Sequence, residues 1–305
     1  MQRRLFPHVY EGWLVVASSA LFVVVLGASV FYGLGTIFTP IREEFAWSAA
    51  ATAAAFSVRS QGTGIAAPFV GLAIARWGPR WTYFIGVLLT AAGVLLLSFI
   101  QDIWMFYGSM LLISVGGSAC GGQVGLVVTA TWFRARRATA MSLLTLGGGL
   151  AGLLVVPMAM LIEAIGWRDG LRVIAAVLLL VGMIPVSNSR FRPRDHPQPM
   201  DGRAVLEDEA EALDDDWGTP VGVAVRSGAF VMLSIAMTAV SFGTTALVVH
   251  QIPFLESIGL STTVAATLVT VYTVSSMLGR VGFGMVGDRL EKRYAMAICM
   301  ALVAV

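Results

Sequence analysis

The sequence GRVGFGMVGDRLEKR (residues 279–293) has an arginine inside an apolar run and then five charged residues in six positions. The sequence PFVGLAIARWGPR (residues 68–80) has its glycine and two of its arginines at the same offsets. A shift of 213 residues, without a gap, extends the match back to residue 40. The matched pairs are Pro40/Pro253, Glu43/Glu256, Ser48/Ser261, Ala53/Ala266, Gly71/Gly284, Arg76/Arg289 and Arg80/Arg293. These pairs indicate a duplicated unit.

The composition predicts that lipid surrounds most of the chain. Of its 305 residues, 57% are apolar and 12% are charged, whereas a soluble protein carries about 25% charged residues. A soluble fold of this size cannot bury so much apolar surface. The net charge of +2 gives no indication of a nucleic-acid partner, and we expect none.

Apolar runs of about 20 residues are long enough to cross the hydrocarbon core of a bilayer, and they predict eight complete helices. The predicted spans are 13–38, 48–72, 81–100, 103–131, 138–162, 170–187, 228–253 and 262–285. A ninth span begins near Tyr294. Because twelve residues rise only about 18 Å in a helix, we expect the chain to be truncated within helix 9.

The basic residues predict the orientation in the membrane. They cluster in alternate loops, at Arg3, Arg4, Arg76, Arg80, Arg134, Arg136, Arg137, Arg190, Arg192, Arg194, Arg203, Arg226, Arg289, Lys292 and Arg293. The opposite loops carry Arg42, Arg168 and Arg172. The positive-inside rule therefore predicts a cytoplasmic N-terminus and a cytoplasmic loop at 188–226. The first apolar run is too long for a cleavable signal peptide, and we expect the protein in the plasma (cytoplasmic) membrane.

The shift of 213 residues preserves helix direction, since helices 2 and 8 are both predicted to run from outside to inside. The sequence thus predicts an all-α membrane protein of two parallel six-helix repeats. The predicted domains are an N-terminal bundle (1–187), a charged cytoplasmic linker (188–226) and a partial C-terminal bundle (227–305). Parallel repeats of this kind are a known transporter plan, with the substrate between the halves.

The loop after helix 2 resembles a motif of the major facilitator superfamily: glycine, three residues, aspartate, arginine, any residue, glycine and then basic residues. Gly71, Arg76, Gly78 and Arg80 match this motif, while Ala75 stands at the aspartate position. The second copy keeps Gly284, Asp288, Arg289, Lys292 and Arg293, with Glu291 at the second glycine. In that superfamily the motif latches the two halves on the cytoplasmic side. We expect a weakened latch in the first half, because Ala75 cannot take part.

Three further stretches are similar to monocarboxylate transporters and the related oxalate/formate antiporters. They are FTPIREEFAWS (38–48), TWFRARRATAMS (131–142) and HQIPFLESIGLS (250–261). The sequence also departs from this branch. Its only lysine is Lys292, whereas monocarboxylate transporters carry a lysine in helix 1, and Ser276 stands where they have an aspartate one turn before the helix 8 arginine.

Two arginines within the spans are candidate substrate-binding residues. Arg59 is predicted near the bilayer centre, where an arginine is costly and normally faces a bundle interior or water. It either holds an anionic substrate or bonds to carbonyls of a neighbouring helix. Arg280 matches, by resemblance, the helix 8 arginine that binds a substrate carboxylate. Its alternative role is to extend toward the cytoplasmic headgroups.

Other residues are candidates for coupling, gating or packing. His250, near the outer end of helix 7, has a side chain of suitable pKa to carry a proton, although it could simply be an interfacial hydrogen-bonding residue. Arg76, Arg80, Asp288 and Arg289 are predicted to anchor the inner loops at anionic headgroups and, by resemblance, to gate the halves. For helix 5, the sequence predicts close packing at Gly148 and Gly152 and a kink at Pro157.

These patterns together predict a secondary active transporter of a small organic anion, monocarboxylate- or dicarboxylate-like, working by alternating access. The alternative is a non-transporting membrane sensor or scaffold on the same fold. The sequence contains no HExxH or GxSxG motif and no paired-cysteine metal spacing, so we expect no enzyme activity, no cofactor and no metal. The expected partners are the lipid bilayer and the anion, and the expected state is a monomer.

Overall fold

The computed structural model describes residues 10–188, 201, 221–259, 262–291, 294, 297–298 and 300–301. Every regular element among these residues is helical. Most of the predicted linker 188–226 and of the predicted ninth helix lies outside the described residues. The chain divides into two compact units, Met1–Ala204 and Val205–Val305, and each is described by itself.

Five helical runs in the described residues are long and apolar enough to cross a membrane: Glu11–Thr36, Ala49–Leu97, Ile103–Trp132, Arg137–Ile165 and Trp167–Asn188. The second run has 49 residues and would extend about 74 Å as one straight helix, more than twice the hydrocarbon thickness. It turns at Gly78, whose φ of 80° and ψ of 163° are not helical. Glycine adopts this conformation at no steric cost, so the run forms two spans.

The helices are named in chain order from these boundaries. In the first unit, α1 is Glu11–Thr36, α2 is 49–77, α3 is 79–97, α4 is Ile103–Trp132, α5 is Arg137–Ile165 and α6 is Trp167–Asn188. A two-turn helix, Phe38–Phe45, follows α1. In the second unit a single turn, Val221–Ala224, precedes α7 (Gly228–Ser257) and α8 (Thr262–Gly287). All eight predicted spans are therefore helical, with boundaries that differ from the prediction by a few residues.

The start of α8 agrees with the duplication in the sequence. Helix α2 begins at Ala49 and α8 begins at Thr262, a separation equal to the shift of 213 residues. Ser48 caps α2, since its side chain accepts a hydrogen bond from the backbone nitrogen of Ala51 at 3.1 Å. A side-chain oxygen at this position satisfies one of the unpaired N–H groups at a helix start.

Glycines bring α3 and α4 into close contact. A Cβ built at Gly86 would lie 2.6 Å from the backbone of Ala119, and one at Gly93 would lie 2.9 Å from the backbone nitrogen of Ile113. In lipid, small residues at an interface allow backbones to approach closely and gain dispersion contacts. The side chains of Tyr83, Phe106 and other apolar residues then fill the interior of the first unit.

Glu44 and Arg168 together join three elements at the end of the first unit opposite to Gly78. Trp167 Nε1 donates a hydrogen bond to Glu44 Oε2 at 2.9 Å, and Arg168 Nη2 donates to Oε1 at 2.5 Å. Arg168 Nη1 also donates to the backbone carbonyl of Ser98 at 3.4 Å. These contacts tie the start of α6 to the segments that precede α2 and follow α3.

Candidate functional site

Arg59 is the eleventh residue of α2, which begins at Ala49 and extends to Trp77. It lies about 15 Å along the helix axis from Ala49, and half of the roughly 30 Å hydrocarbon core is also about 15 Å. That Arg59 lies near the bilayer centre stays a prediction.

The guanidinium of Arg59 has no carboxylate partner in the part of the chain that the structure describes. Two ion pairs occur among the described residues, Arg168 with Glu44 and Arg172 with Asp169, and neither involves Arg59. Its Nε is buried without a hydrogen-bond partner. Its Cζ lies 4.9 Å from the centroid of the Phe31 ring, a cation–π contact. The alternative role of Arg59 requires hydrogen bonds to carbonyl oxygens of a neighbouring helix, and its Nε forms none.

Phe31 belongs to a π-helical segment of α1, Gly27–Tyr32, which the apolar pattern did not predict. The wider turn breaks the regular α-helical ladder, and such segments are frequent at functional sites. The Phe31 side chain is 71% exposed, so it does not belong to the packed interior of its own unit. The available sequence signals were Gly27, the first residue of the segment, and Gly33, which follows its last residue.

The π-helical segment of α1 packs on an irregular part of α5. Residues Ala151–Leu154 form a 3-10 turn within α5. A Cβ built at Gly27 would lie 2.8 Å from Cβ of Ala151, so the two backbones approach closely. Two irregular turns therefore meet near the level of Phe31.

Pro157 lies just after this 3-10 turn, in the segment Val155–Ile165 of α5. Proline lacks an N–H group and cannot bond to the carbonyl four residues earlier, which accounts for the interruption near the predicted kink. The close contact between α5 and α1 is at Gly147, where a Cβ would lie 2.5 Å from the backbone oxygen of Ala20 and 3.3 Å from Cβ of Val23. A Cβ at Gly148 or Gly152 would have no atom of the described residues within 4 Å, and close packing at these two glycines stays a prediction.

Arg280 lies on α8 in the second unit and is exposed. Seven residues separate it from the helix end at Gly287, or about 10 Å along the axis. Arg59 belongs to the first unit and Arg280 to the second. That the two arginines line one cavity stays a prediction.

The inner-loop residues lie at helix ends. Arg76 and Arg80 are exposed on either side of Gly78, and Asp288 and Arg289 follow the end of α8. Their gating role stays a prediction.

His250 lies within α7, but its side chain is outside the described residues.

Among the described residues, five helical runs long and apolar enough to cross a membrane, all in the first unit, define a polytopic membrane protein. The sequence profile of the Major Facilitator Superfamily matches residues 19–305, and the chain belongs to this superfamily. The resemblance of the Gly71–Arg80 loop is thereby confirmed at the level of the family.

Curated relatives include membrane transporters from fungi and animals. The chain is 29% identical over 227 residues to an MFS-type transporter of Gibberella moniliformis, which covers 74% of this chain and 51% of that relative. It is 28% identical over 278 residues to Monocarboxylate transporter 13 of Bos taurus, covering 91% of this chain and 62% of the relative. The chain thus spans between half and two thirds of the length of these relatives.

A solved structure has the same fold. The proton:xylose symporter XylE bound to 6-bromo-6-deoxy-D-glucose superimposes with a TM-score of 0.71 and 15% identity. The match covers 92% of this chain and 70% of the symporter chain. The all-α major facilitator-type fold predicted from the sequence is confirmed.

Proposed function

We propose that this protein is a secondary active transporter of a small organic anion, monocarboxylate- or dicarboxylate-like, that works by alternating access in the plasma membrane. The observation that carries the proposal is the guanidinium of Arg59, whose Nε is buried without a hydrogen-bond partner and which forms no ion pair with a carboxylate among the described residues. The proposed orientation has the N-terminus and the 188–226 segment in the cytoplasm.

An anionic substrate matches the chemistry of this site. A positive charge at the bilayer centre is costly, by at least about 2.5–3.5 kcal/mol on insertion scales. A bound carboxylate would offset part of this cost, and its two oxygens fit the planar donor fork of a guanidinium. Phe31 holds one face of the Arg59 side chain and would leave its N–H edges available to the anion.

Arg280 is the second proposed anion-binding residue. By the shift of 213 residues, Arg59 corresponds to Tyr272, so Arg280 lies eight residues, or about 12 Å, further along α8. Two cations at different depths could bind opposite ends of a dianion, or serve the outward-facing and inward-facing states in turn. The names of the monocarboxylate transporters among the relatives support an acid as the substrate.

The test is uptake of labelled monocarboxylates and dicarboxylates into proteoliposomes that contain the purified chain. Arg59→Gln and Arg280→Gln remove one charged donor each, and charge-assisted hydrogen bonds contribute about 1.5–3 kcal/mol. We expect uptake at low substrate concentration to fall by about 10- to 150-fold. Arg59→Lys and Arg280→Lys should lose less, because they keep the charge.

Arg172→Gln is the matched control, since Arg172 is an exposed arginine paired with Asp169 outside the proposed site. It should retain uptake. Saturable uptake that survives both Arg59→Gln and Arg280→Gln would overturn the binding assignment. Saturable anion binding without flux would overturn the transport proposal and support a sensor or scaffold.

A further inference from the structure

A second candidate binding site lies on the first unit, away from Arg59. It is a groove of about 670 Å³ between α2, α3 and α4. Large apolar side chains line it, among them Ile65, Phe69, Leu72, Ile85 and Leu111. Ile65 and Phe69 are each about two thirds exposed, at 68% and 67%, so the groove is open at the surface of its unit.

The groove has the length of one lipid leaflet. It extends from Gly62 to Arg76 along α2, a rise of about 21 Å. Half of the hydrocarbon core is about 15 Å. The apolar part of the groove thus matches the depth of an acyl chain, and Arg76 falls at the level of the lipid head groups.

Arg76 is the only charged residue among the described residues that line the groove. Neither of the ion pairs in the described part of the chain includes it. Ala75, the preceding residue, occupies the position at which the major facilitator motif has an aspartate. No carboxylate at that position therefore neutralises the Arg76 guanidinium. Trp77, which also lines the groove, is 58% exposed, and tryptophan is enriched at membrane interfaces.

We propose that this groove binds an anionic phospholipid of the cytoplasmic leaflet, with an acyl chain along α2 and the phosphate at Arg76. The apolar walls would receive the chain, and the Arg76 guanidinium, which forms no ion pair among the described residues, would select an acidic head group over a zwitterionic one. This inference is independent of the transported substrate, because Arg59 does not line the groove.

The test is native mass spectrometry of the delipidated protein titrated with phosphatidylglycerol or phosphatidylcholine of identical acyl chains. We expect tighter binding of phosphatidylglycerol. Arg76→Gln should lower the affinity for phosphatidylglycerol about fivefold, because removing one basic residue near the membrane surface weakens anionic lipid binding by about that factor. Arg136→Gln is the matched control, since Arg136 is an exposed arginine between α4 and α5 and does not line the groove.

A second pair of variants tests the acyl-chain part of the site. Ala73→Trp would fill the groove and should lower binding of both lipids, whereas Ala75→Trp, outside the lining, should not. Equal affinity for the two lipids, or equal effects of Arg76→Gln and Arg136→Gln, would overturn the proposal. Cross-linking that finds a helix of this protein or of a second copy in the groove would overturn it as well.

Discussion

Replacing Gly116 by alanine tests the packing between α3 and α4. The added methyl would lie 2.6 Å from Oγ1 of Thr90 and 2.9 Å from the carbonyl oxygen of Gly86, whereas ordinary contacts are 3.4–4 Å. The hydroxyl of Thr90 cannot rotate away freely. It donates to the Gly86 carbonyl at 2.8 Å and lies 3.4 Å from Sγ of Cys120. The helices would therefore have to move apart.

The next residue provides the matched control. A Cβ at Gly117 would have no atom within 4 Å, so Gly117→Ala adds the same methyl to the same helix without a clash. Both variants gain the same helix propensity, up to about 1 kcal/mol. The difference between them isolates the overpacking cost, which is about 1–3 kcal/mol.

The free energy of unfolding can be measured by SDS titration in mixed micelles, followed by tryptophan fluorescence. Gly116→Ala should unfold at a lower SDS concentration than Gly117→Ala. Its free energy of unfolding should be lower than that of Gly117→Ala by about 1–3 kcal/mol. A wild-type midpoint for Gly116→Ala would refute the reasoning, because it would mean that the two backbones do not require glycine at this contact.

Two further predictions concern the ends of the bundle. Glu44→Gln should lower the free energy of unfolding by about 0.2–1 kcal/mol, because the Glu44 and Arg168 side chains are 42% and 34% exposed. A double-mutant cycle with Arg168→Gln measures the coupling, and a coupling of zero would contradict this contact. Gly78→Ala should cost about 1–3 kcal/mol because φ at Gly78 is +80°, whereas Gly71→Ala, with open space and no such φ, should be neutral or stabilising. Thermal unfolding that ranks these two variants in the opposite order would refute the turn assignment.

Much of the fold could be predicted from the sequence because the length of an apolar run is a local property. A run of about 20 residues must cross the hydrocarbon core as a helix, since lipid offers no partners for backbone polar groups. This reasoning located α1 to α8. The apolar pattern predicted that α2 ends near residue 72, whereas the helix continues to Trp77. This difference arises because a helix can extend past the hydrocarbon boundary, where its residues need not be apolar.

The candidate site was predicted only in part. The depth of Arg59 follows from counting residues, and its cost in lipid follows from its charge. Its contact with Phe31 did not follow, because a π-helical segment adds a residue to the turn and changes which side chains face a neighbour. The close contact at Gly147 was not predicted for a similar reason, since the rotation of α5 is set by its packing with α1.

The sequence alone predicted that this chain lies in lipid, that its helices are duplicated at a fixed shift and that a guanidinium lies near the bilayer centre. These predictions follow from composition and residue order, which need no knowledge of contacts. Only the tertiary structure decided that Arg59 packs on Phe31, with no carboxylate partner among the described residues, and that Arg76 ends an apolar groove between three helices. Both depend on how helices rotate and approach one another, and that is set by interactions between residues far apart in the chain.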